Sequence, residues 1–177
     1  MSDNFNLDTA IRKVQDFPKP GILFYDITSI LMDPEAFSYC ISQMEKTYSG
    51  TSIDCLAAVE SRGFIFASPY AIRQDLPLAL VRKKGKLPGE TKGKEFELEY
   101  GTDKIEIHTS DIRPGMNVLI VDDLIATGGT IRAACDLISE AGANVVGVFS
   151  VIGLPFLNYQ ELMGDIPVKT LIEYNSE

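Results

Sequence analysis

Two adjacent carboxylates, Asp122 and Asp123, stand just before a loop of small residues and a pattern of helical spacing. The small residues of the loop are Ala126, Thr127, Gly128, Gly129 and Thr130. Backbone N–H groups are free at a helix start, and glycines let a phosphate approach them closely. Carboxylates would repel a bare phosphate. We therefore expect the pair to face sugar hydroxyls, a metal or a developing cation beside the phosphate.

The glycine loop differs from the two common phosphate-binding loops. No lysine follows its glycines, as a P-loop requires, and it lacks the G-x-G-x-x-G spacing of dinucleotide-binding proteins. A plainer interpretation also stands for the motif alone, in which an ordinary turn joins a strand to a helix. In that case the two carboxylates are either solvated or cap the helix.

Two further groups of polar residues follow apolar runs that are typical of buried strands. Ser61 and Arg62 come after the first run, and Arg82 and Lys86 come after the second. Six of the sixteen basic residues lie between positions 82 and 94. Ligands of open parallel sheets bind beyond the carboxyl ends of the strands. We expect these groups to meet the acid pair at one rim, around a ligand with a phosphate, a polyol and a second anionic group.

The elements that must position these residues alternate between strands and helices. Apolar runs predict buried strands at 53–59, 78–81, 118–121, 145–152 and 168–172. Apolar residues at helical spacing predict helices at 34–48, from Phe64, from Ile131 and near 156–163. Strands alternating with helices give right-handed βαβ units. The fold class is therefore α/β, an open and mainly parallel sheet of about five strands flanked by helices.

One long segment, 83–109, interrupts the alternation. It begins with a polar, glycine-containing stretch and continues as two runs that alternate apolar and polar residues around Gly101. This pattern predicts a β-hairpin that projects from the sheet. A long excursion in a compact domain is often a lid over an active site.

The bulk properties favour one cytoplasmic α/β domain. A chain of 177 residues suffices for one good core. The net charge of −9 argues against binding to nucleic acid or membrane surfaces. No apolar run approaches the roughly 20 residues of a membrane span, and no secretory signal is visible. The cysteines Cys40, Cys55 and Cys135 each fall in an apolar pattern, which predicts buried, reduced thiols.

Taken whole, the stretch Val118–Thr130 resembles the phosphoribosyl-diphosphate signature of the type I phosphoribosyltransferases. Its ending, Leu124–Thr130, is similar to the adenine-specific branch. Further motifs of that branch follow in the same order, and the likeness spans roughly residues 17–150. These motifs are Phe17–Thr28, Glu60–Phe64, Arg82–Gly89 and Leu98–Gly101.

The resemblance implies a reaction between adenine and phosphoribosyl diphosphate that gives AMP and pyrophosphate, with Mg²⁺ as cofactor and a homodimer as the assembly. It assigns the 5-phosphate to the loop 126–130 and the ribose hydroxyls to Asp122 and Asp123, which lie near the metal without binding it directly. It assigns the pyrophosphate to Ser61, Arg62, Arg82 and Lys86. It also implies a cis peptide between Glu60 and Ser61.

The resemblance further implies a hood over the base, formed by residues 1–32 with part of the C-terminal tail. Leu23, Tyr25 and Ile125 would contact the purine, and Glu99 on the hairpin would handle its N7 proton. Tyr25 departs from the family, which more often has an arginine there. Two alternatives stay open. One is an enzyme for xanthine or hypoxanthine, and the other is a regulator that senses phosphoribosyl diphosphate without catalysis.

Overall fold

Five parallel strands form the centre of the protein, in a computed structural model that describes residues 5–97 and 101–176. The strands are β1 (Arg12–Gln15), β2 (Leu23–Asp26), β3 (Cys55–Val59), β4 (Leu78–Lys83), β5 (Thr91–Glu97), β6 (Thr102–His108), β7 (Asn117–Ile125), β8 (Asn144–Gly153) and β9 (Val168–Glu173). The α-helices are α1 (Thr28–Leu31), α2 (Pro34–Thr47), α3 (Gly63–Gln74), α4 (Gly129–Glu140) and α5 (Tyr159–Met163).

The main sheet has the order β5-β6-β4-β3-β7-β8-β9. Its five strands from β4 to β9 are parallel to one another, which confirms the predicted α/β class and the predicted number of parallel strands. The hairpin β5–β6 is also formed as predicted. It extends the sheet at the β4 edge, where β6 pairs antiparallel with Arg82 and Lys83.

Helices cover both faces of the sheet because the central strands are apolar on both sides. Along β7, Leu119 and Val121 lie in one core cluster, while Val118 and Ile120 lie in a second cluster. This alternation is what a strand buried on both faces requires. The first cluster also takes in α2 and α3, and the second takes in α4 and the hairpin. The three cysteines are buried and unpaired, as predicted.

The N-terminal segment forms a small sheet of its own. A 3-10 helix at Leu7–Ala10 leads into β1, which pairs antiparallel with β2. The Asn6 side chain caps this short helix. None of the described helices is both long and apolar enough to cross a membrane.

Candidate active site

The carboxyl ends of β3 and β7 border a cleft of about 260 Å³. It is lined by Val59, Glu60, Arg62, Asp122, Asp123, Leu124, Ile125, Ala126, Thr127, Gly128, Gly129, Thr130 and Ile131. The parallel topology places these strand ends at the same rim. The acid pair, the glycine loop and Arg62 therefore meet in one cleft, although they are about sixty residues apart along the chain.

The glycine loop leads directly into α4, two residues earlier than the apolar pattern suggests. Gly128 occupies the N-cap position with φ 85°, in the left-handed region that favours glycine, and no side chain caps the helix. The glycine loop packs against α5 at Gly128, since a Cβ there would lie 3.2 Å from Tyr159 Cβ and 3.3 Å from Met163 Cε. A helix start that has no side-chain cap, packs on α5 and faces the cleft is suited to bind an anion.

The two carboxylates lie within strand β7, not beyond its end. We expected the strand to stop at Val121, but it continues to Ile125 because β8 pairs alongside it as far as Gly153. Asp122 is 8% exposed and Asp123 is 3% exposed, so the pair is not solvated. No side chain caps α4, which removes the capping alternative.

Burial governs the electrostatics of the pair. It raises the pKa of Asp122 well above the ordinary range, and the neighbouring Asp123 carboxylate raises that pKa further. Burial also raises the pKa of Asp123, against the lowering effect of Arg62. Asp122 Oδ1 accepts a hydrogen bond of 2.8 Å from the backbone N–H of Asp123. In the free protein, burial and the closeness of the two carboxylates therefore oppose the ionisation of both at once.

One oxygen of the pair has a charge partner but no hydrogen-bond donor. Arg62 Nε lies 2.9 Å from Asp123 Oδ2. Their alignment is not that of a hydrogen bond, so among the described residues no donor satisfies this buried oxygen. A buried acceptor without a donor costs about 1–3 kcal/mol. A ligand hydroxyl in the cleft would satisfy Oδ2.

Three nitrogens of Arg82 donate hydrogen bonds to acceptors within the protein. Its Nε and NH2 groups donate to the Glu60 carboxylate at 3.2 and 3.3 Å, and its NH1 group donates to the carbonyl of Lys86 at 3.0 Å. Glu60 also accepts from the N–H of Lys83 at 2.9 Å. The structure thus places Arg82 near the end of β4 and the exposed Lys86 in the turn that follows, with Glu60 joining Arg82 to the cleft. Sequence reasoning gave Glu60 no role, although it opens the segment Glu60–Phe64.

Relatives of known type match nearly the whole chain. The family model "Phosphoribosyl transferase domain" matches residues 26–173. An adenine phosphoribosyltransferase of Treponema denticola is 58% identical over 171 residues, which cover 97% of this chain and 90% of that protein. The chain belongs to the phosphoribosyltransferase family, in its adenine phosphoribosyltransferase branch.

Solved structures of adenine phosphoribosyltransferases share the fold. The enzyme of Thermoanaerobacter pseudethanolicus has a TM-score of 0.92 at 43% identity, covering 95% of this chain and 98% of that one. The enzyme of Saccharomyces cerevisiae has a TM-score of 0.88 at 38% identity, covering 94% and 96%. The yeast enzyme was crystallised with an imino-altritol bisphosphate and adenine.

The remaining residues suggested by the phosphoribosyltransferase resemblance occupy different places. The peptide between Glu60 and Ser61 is cis, as the resemblance implied. Ile125 lines the cleft, whereas Leu23 borders a separate recess of the N-terminal segment. Tyr25 is 4% exposed and stacks on the ring of Tyr174. Glu99 lies outside the described residues.

Gly63 packs directly against β7 at the acid pair, and we expect Gly63→Ala to lower stability and transferase activity together. A Cβ at Gly63 would lie 2.6 Å from the Val121 carbonyl oxygen and 3.1 Å from Asp122 Cα, so α3 would have to move away from β7. Overpacking costs about 1–3 kcal/mol. In a chain of this size, each kcal/mol lowers Tm by ~2–4 °C.

Thermal unfolding and initial rates, measured on the same preparation, check the Gly63 prediction. Gly147→Ala is the matched control. Its added Cβ would lie 3.2 Å from the nearest atom, the Tyr48 hydroxyl oxygen, and Gly147 is not one of the residues that line the cleft. An active, equally stable Gly63→Ala variant would show that close packing of α3 on Asp122 is not required.

Proposed function

We propose that the chain transfers the 5-phosphoribosyl group of phosphoribosyl diphosphate to adenine, and releases AMP and pyrophosphate in purine salvage. The observation that carries the proposal is the buried acid pair, which lies in one cleft between an uncapped helix start and Arg62. The two cationic ends suit the two anionic ends of the donor, and the acids suit the ribose between them.

Each part of the donor has a counterpart in the cleft. The backbone N–H groups and hydroxyls of loop 126–130 would hold the 5-phosphate. Asp122 and Asp123 would accept from the ribose hydroxyls, which would satisfy the buried Asp123 Oδ2. Arg62 and the backbone at Ser61 would hold the pyrophosphate. Arg82 and Lys86 would add positive charge at the same end, with Glu60 fixing the direction of the Arg82 guanidinium.

The mechanism follows from where charge develops. Departure of pyrophosphate from the anomeric carbon leaves an oxocarbenium-like centre, as in glycoside cleavage. The negative charge of Asp122 and Asp123 stabilises that centre, and the cations stabilise the leaving group. Glu99 takes or shares the proton of the incoming purine nitrogen.

The hairpin strand β5 reaches the phosphate loop, since a Cβ at Gly129 would lie 3.4 Å from the Glu97 carbonyl oxygen. A cover there would keep water from the cation.

Mg²⁺ fits the cleft as an ion held mainly by the donor. No group of three or more His, Cys, Asp or Glu side chains among the described residues is placed to hold a metal. The acid pair, with its unsatisfied buried oxygen, offers anionic neighbours to such an ion without forming a complete protein site. When bound, Mg²⁺ would neutralise charge on the diphosphate and orient it.

The purine would lie beside Ile125 and the N-terminal segment, with Leu23 and Tyr25 on β2 nearby. Adenine is favoured over hypoxanthine and xanthine because the loop Leu124–Thr130 is similar to that of the adenine-specific branch, and because relatives that match nearly the whole chain are adenine phosphoribosyltransferases. We also propose a homodimer and a cytoplasmic location. The buried free thiols of Cys40, Cys55 and Cys135 agree with a reducing compartment.

Product analysis distinguishes this proposal from the sensing regulator. Incubation with adenine, phosphoribosyl diphosphate and Mg²⁺ should give AMP and pyrophosphate in equal amounts. A matched incubation without adenine sets the background of donor hydrolysis. A chain that binds the donor but forms no AMP would be a regulator, and the proposal would be wrong.

A further inference from the structure

Tyr25, the position at which the chain departs from its family, has its side chain committed to packing. Its ring stacks on the ring of Tyr174, with centroids 3.9 Å apart and planes 14° apart. Tyr25 is on β2 of the N-terminal segment, and Tyr174 follows directly after β9. The stack therefore joins the N-terminal segment to the residues that follow β9.

Two charged residues complete this contact. The Tyr174 hydroxyl donates to Asp8 Oδ1 at 2.5 Å, and Lys13 Nζ lies 2.7 Å from the same oxygen. Lys13 Nζ also lies 5.1 Å from the centre of the Tyr174 ring. We call Asp8, Lys13, Tyr25 and Tyr174 the hood clamp.

The protonation states suit the clamp. Hydrogen bonds from Lys13 and then from Tyr174 lower the pKa of Asp8, so its carboxylate stays charged. Burial, and then the bond to Asp8, raises the pKa of the Tyr174 hydroxyl, so it stays a donor. Stacking, a charge-assisted hydrogen bond and a cation over the ring therefore act together at one place.

The other side of Tyr174 is tied to the wall of the cleft. Its backbone N–H donates to the Gly153 carbonyl at 3.0 Å. Gly153 is the strand partner of Ile125, which lines the cleft. Tyr174 thus connects β2 to the strand ends that carry the acid pair.

The far end of β2 carries Asp26, whose pKa responds to the charge of a residue of the cleft. Hydrogen bonds from Thr28 lower the pKa of Asp26 most, and the charges of Arg12 and Arg62 lower it further. Arg62 lines the cleft, so its field reaches the end of β2. We therefore expect a displacement of β2 to change the shape of the cleft where the purine would bind. It should change the position of the glycine loop less, because α4 and α5 hold that loop.

We propose that Tyr174 is a positioning residue for the purine: by clamping Tyr25 it sets the place of β2 against the cleft. The inference rests on the proposed function and deepens it. It assigns the affinity for the base, but not the affinity for the phosphoribosyl donor, to a contact remote from the reacting atoms.

Steady-state kinetics of Tyr174→Leu, Tyr25→Leu and the double variant test the clamp. Loss of the stack should raise KM for adenine about three- to tenfold, with KM for phosphoribosyl diphosphate and kcat changed less than about twofold. The double variant should be no worse than either single one, because both remove the same contact. Tyr174→Phe keeps the stack and should give a smaller rise.

Tyr48→Phe is the matched control. It removes a tyrosine hydroxyl that donates to the Val148 carbonyl at 3.1 Å, remote from the clamp. It should lower Tm and leave KM for adenine unchanged. An unchanged KM for adenine in a folded Tyr174→Leu variant, or parallel changes in both KM values, would overturn the clamp but not the proposed function. Absence of AMP with the wild-type chain would overturn both.

Discussion

Glu99→Ala should lower kcat by about 10²–10⁴, the usual contribution of a positioned general acid or base. The incoming purine must lose or share a proton as it attacks, and we assign that proton to Glu99. Donor binding should persist, because we assign the 5-phosphate to loop 126–130 and the ribose to Asp122 and Asp123. Single-turnover rates and donor binding, measured in parallel, check both parts.

Glu95→Ala is the matched control for Glu99. Glu95 is an exposed acid of the same hairpin, on β5, and borders a surface recess with Lys84 and Lys104. Its removal should change the net charge equally and leave kcat nearly unchanged. If both variants lose activity alike, the charge of the hairpin matters and not a proton at Glu99. If neither does, the assigned role is wrong.

Asp122→Asn should lower kcat/KM by about 10²-fold or more and should raise the Tm of the free protein at neutral pH. The loss of activity follows from removing negative charge beside the oxocarbenium-like centre. The gain in stability follows because burial and Asp123 raise the pKa of Asp122, so ionising it costs free energy in the folded state. Asparagine keeps the oxygen that accepts from the Asp123 N–H.

The pH dependence of unfolding gives this prediction a sign. Below the ordinary carboxyl pKa of 3.8, Asp122 is protonated in both the folded and the unfolded chain. As pH rises above that value, the unfolded chain releases the proton first. The folded chain then holds more protons, and its stability falls with rising pH until the folded group also ionises. Asp122→Asn should flatten this slope.

The sequence identified the chemistry of the cleft better than its geometry. Asp122 and Asp123 are recognisable because two carboxylates before a glycine loop are unusual. Their burial depends on β8, whose pairing continues β7 past them, and no local pattern shows that partner. The parallel strands were predictable because each is a continuous apolar run, as a strand buried on both faces must be.

Tyr25 and Glu60 show the limit of sequence reasoning at the site. A tyrosine near a purine suggests stacking on the base, yet the partner of Tyr25 is Tyr174, about 150 residues later. Glu60 has the same sequence neighbours whether or not it holds Arg82, and only the pairing of β3 with β4 brings the two together. Long-range contacts of this kind depend on the assembled sheet.

The ratio of kcat/KM for adenine to that for hypoxanthine, with phosphoribosyl diphosphate and Mg²⁺ at saturation, tests the central claim most directly. A site that hydrogen-bonds the edge of one purine rejects another whose donors and acceptors are exchanged. We expect the ratio to exceed about one hundred, with AMP as the nucleotide formed. A ratio near or below one, or the formation of another nucleotide in preference to AMP, would contradict the account.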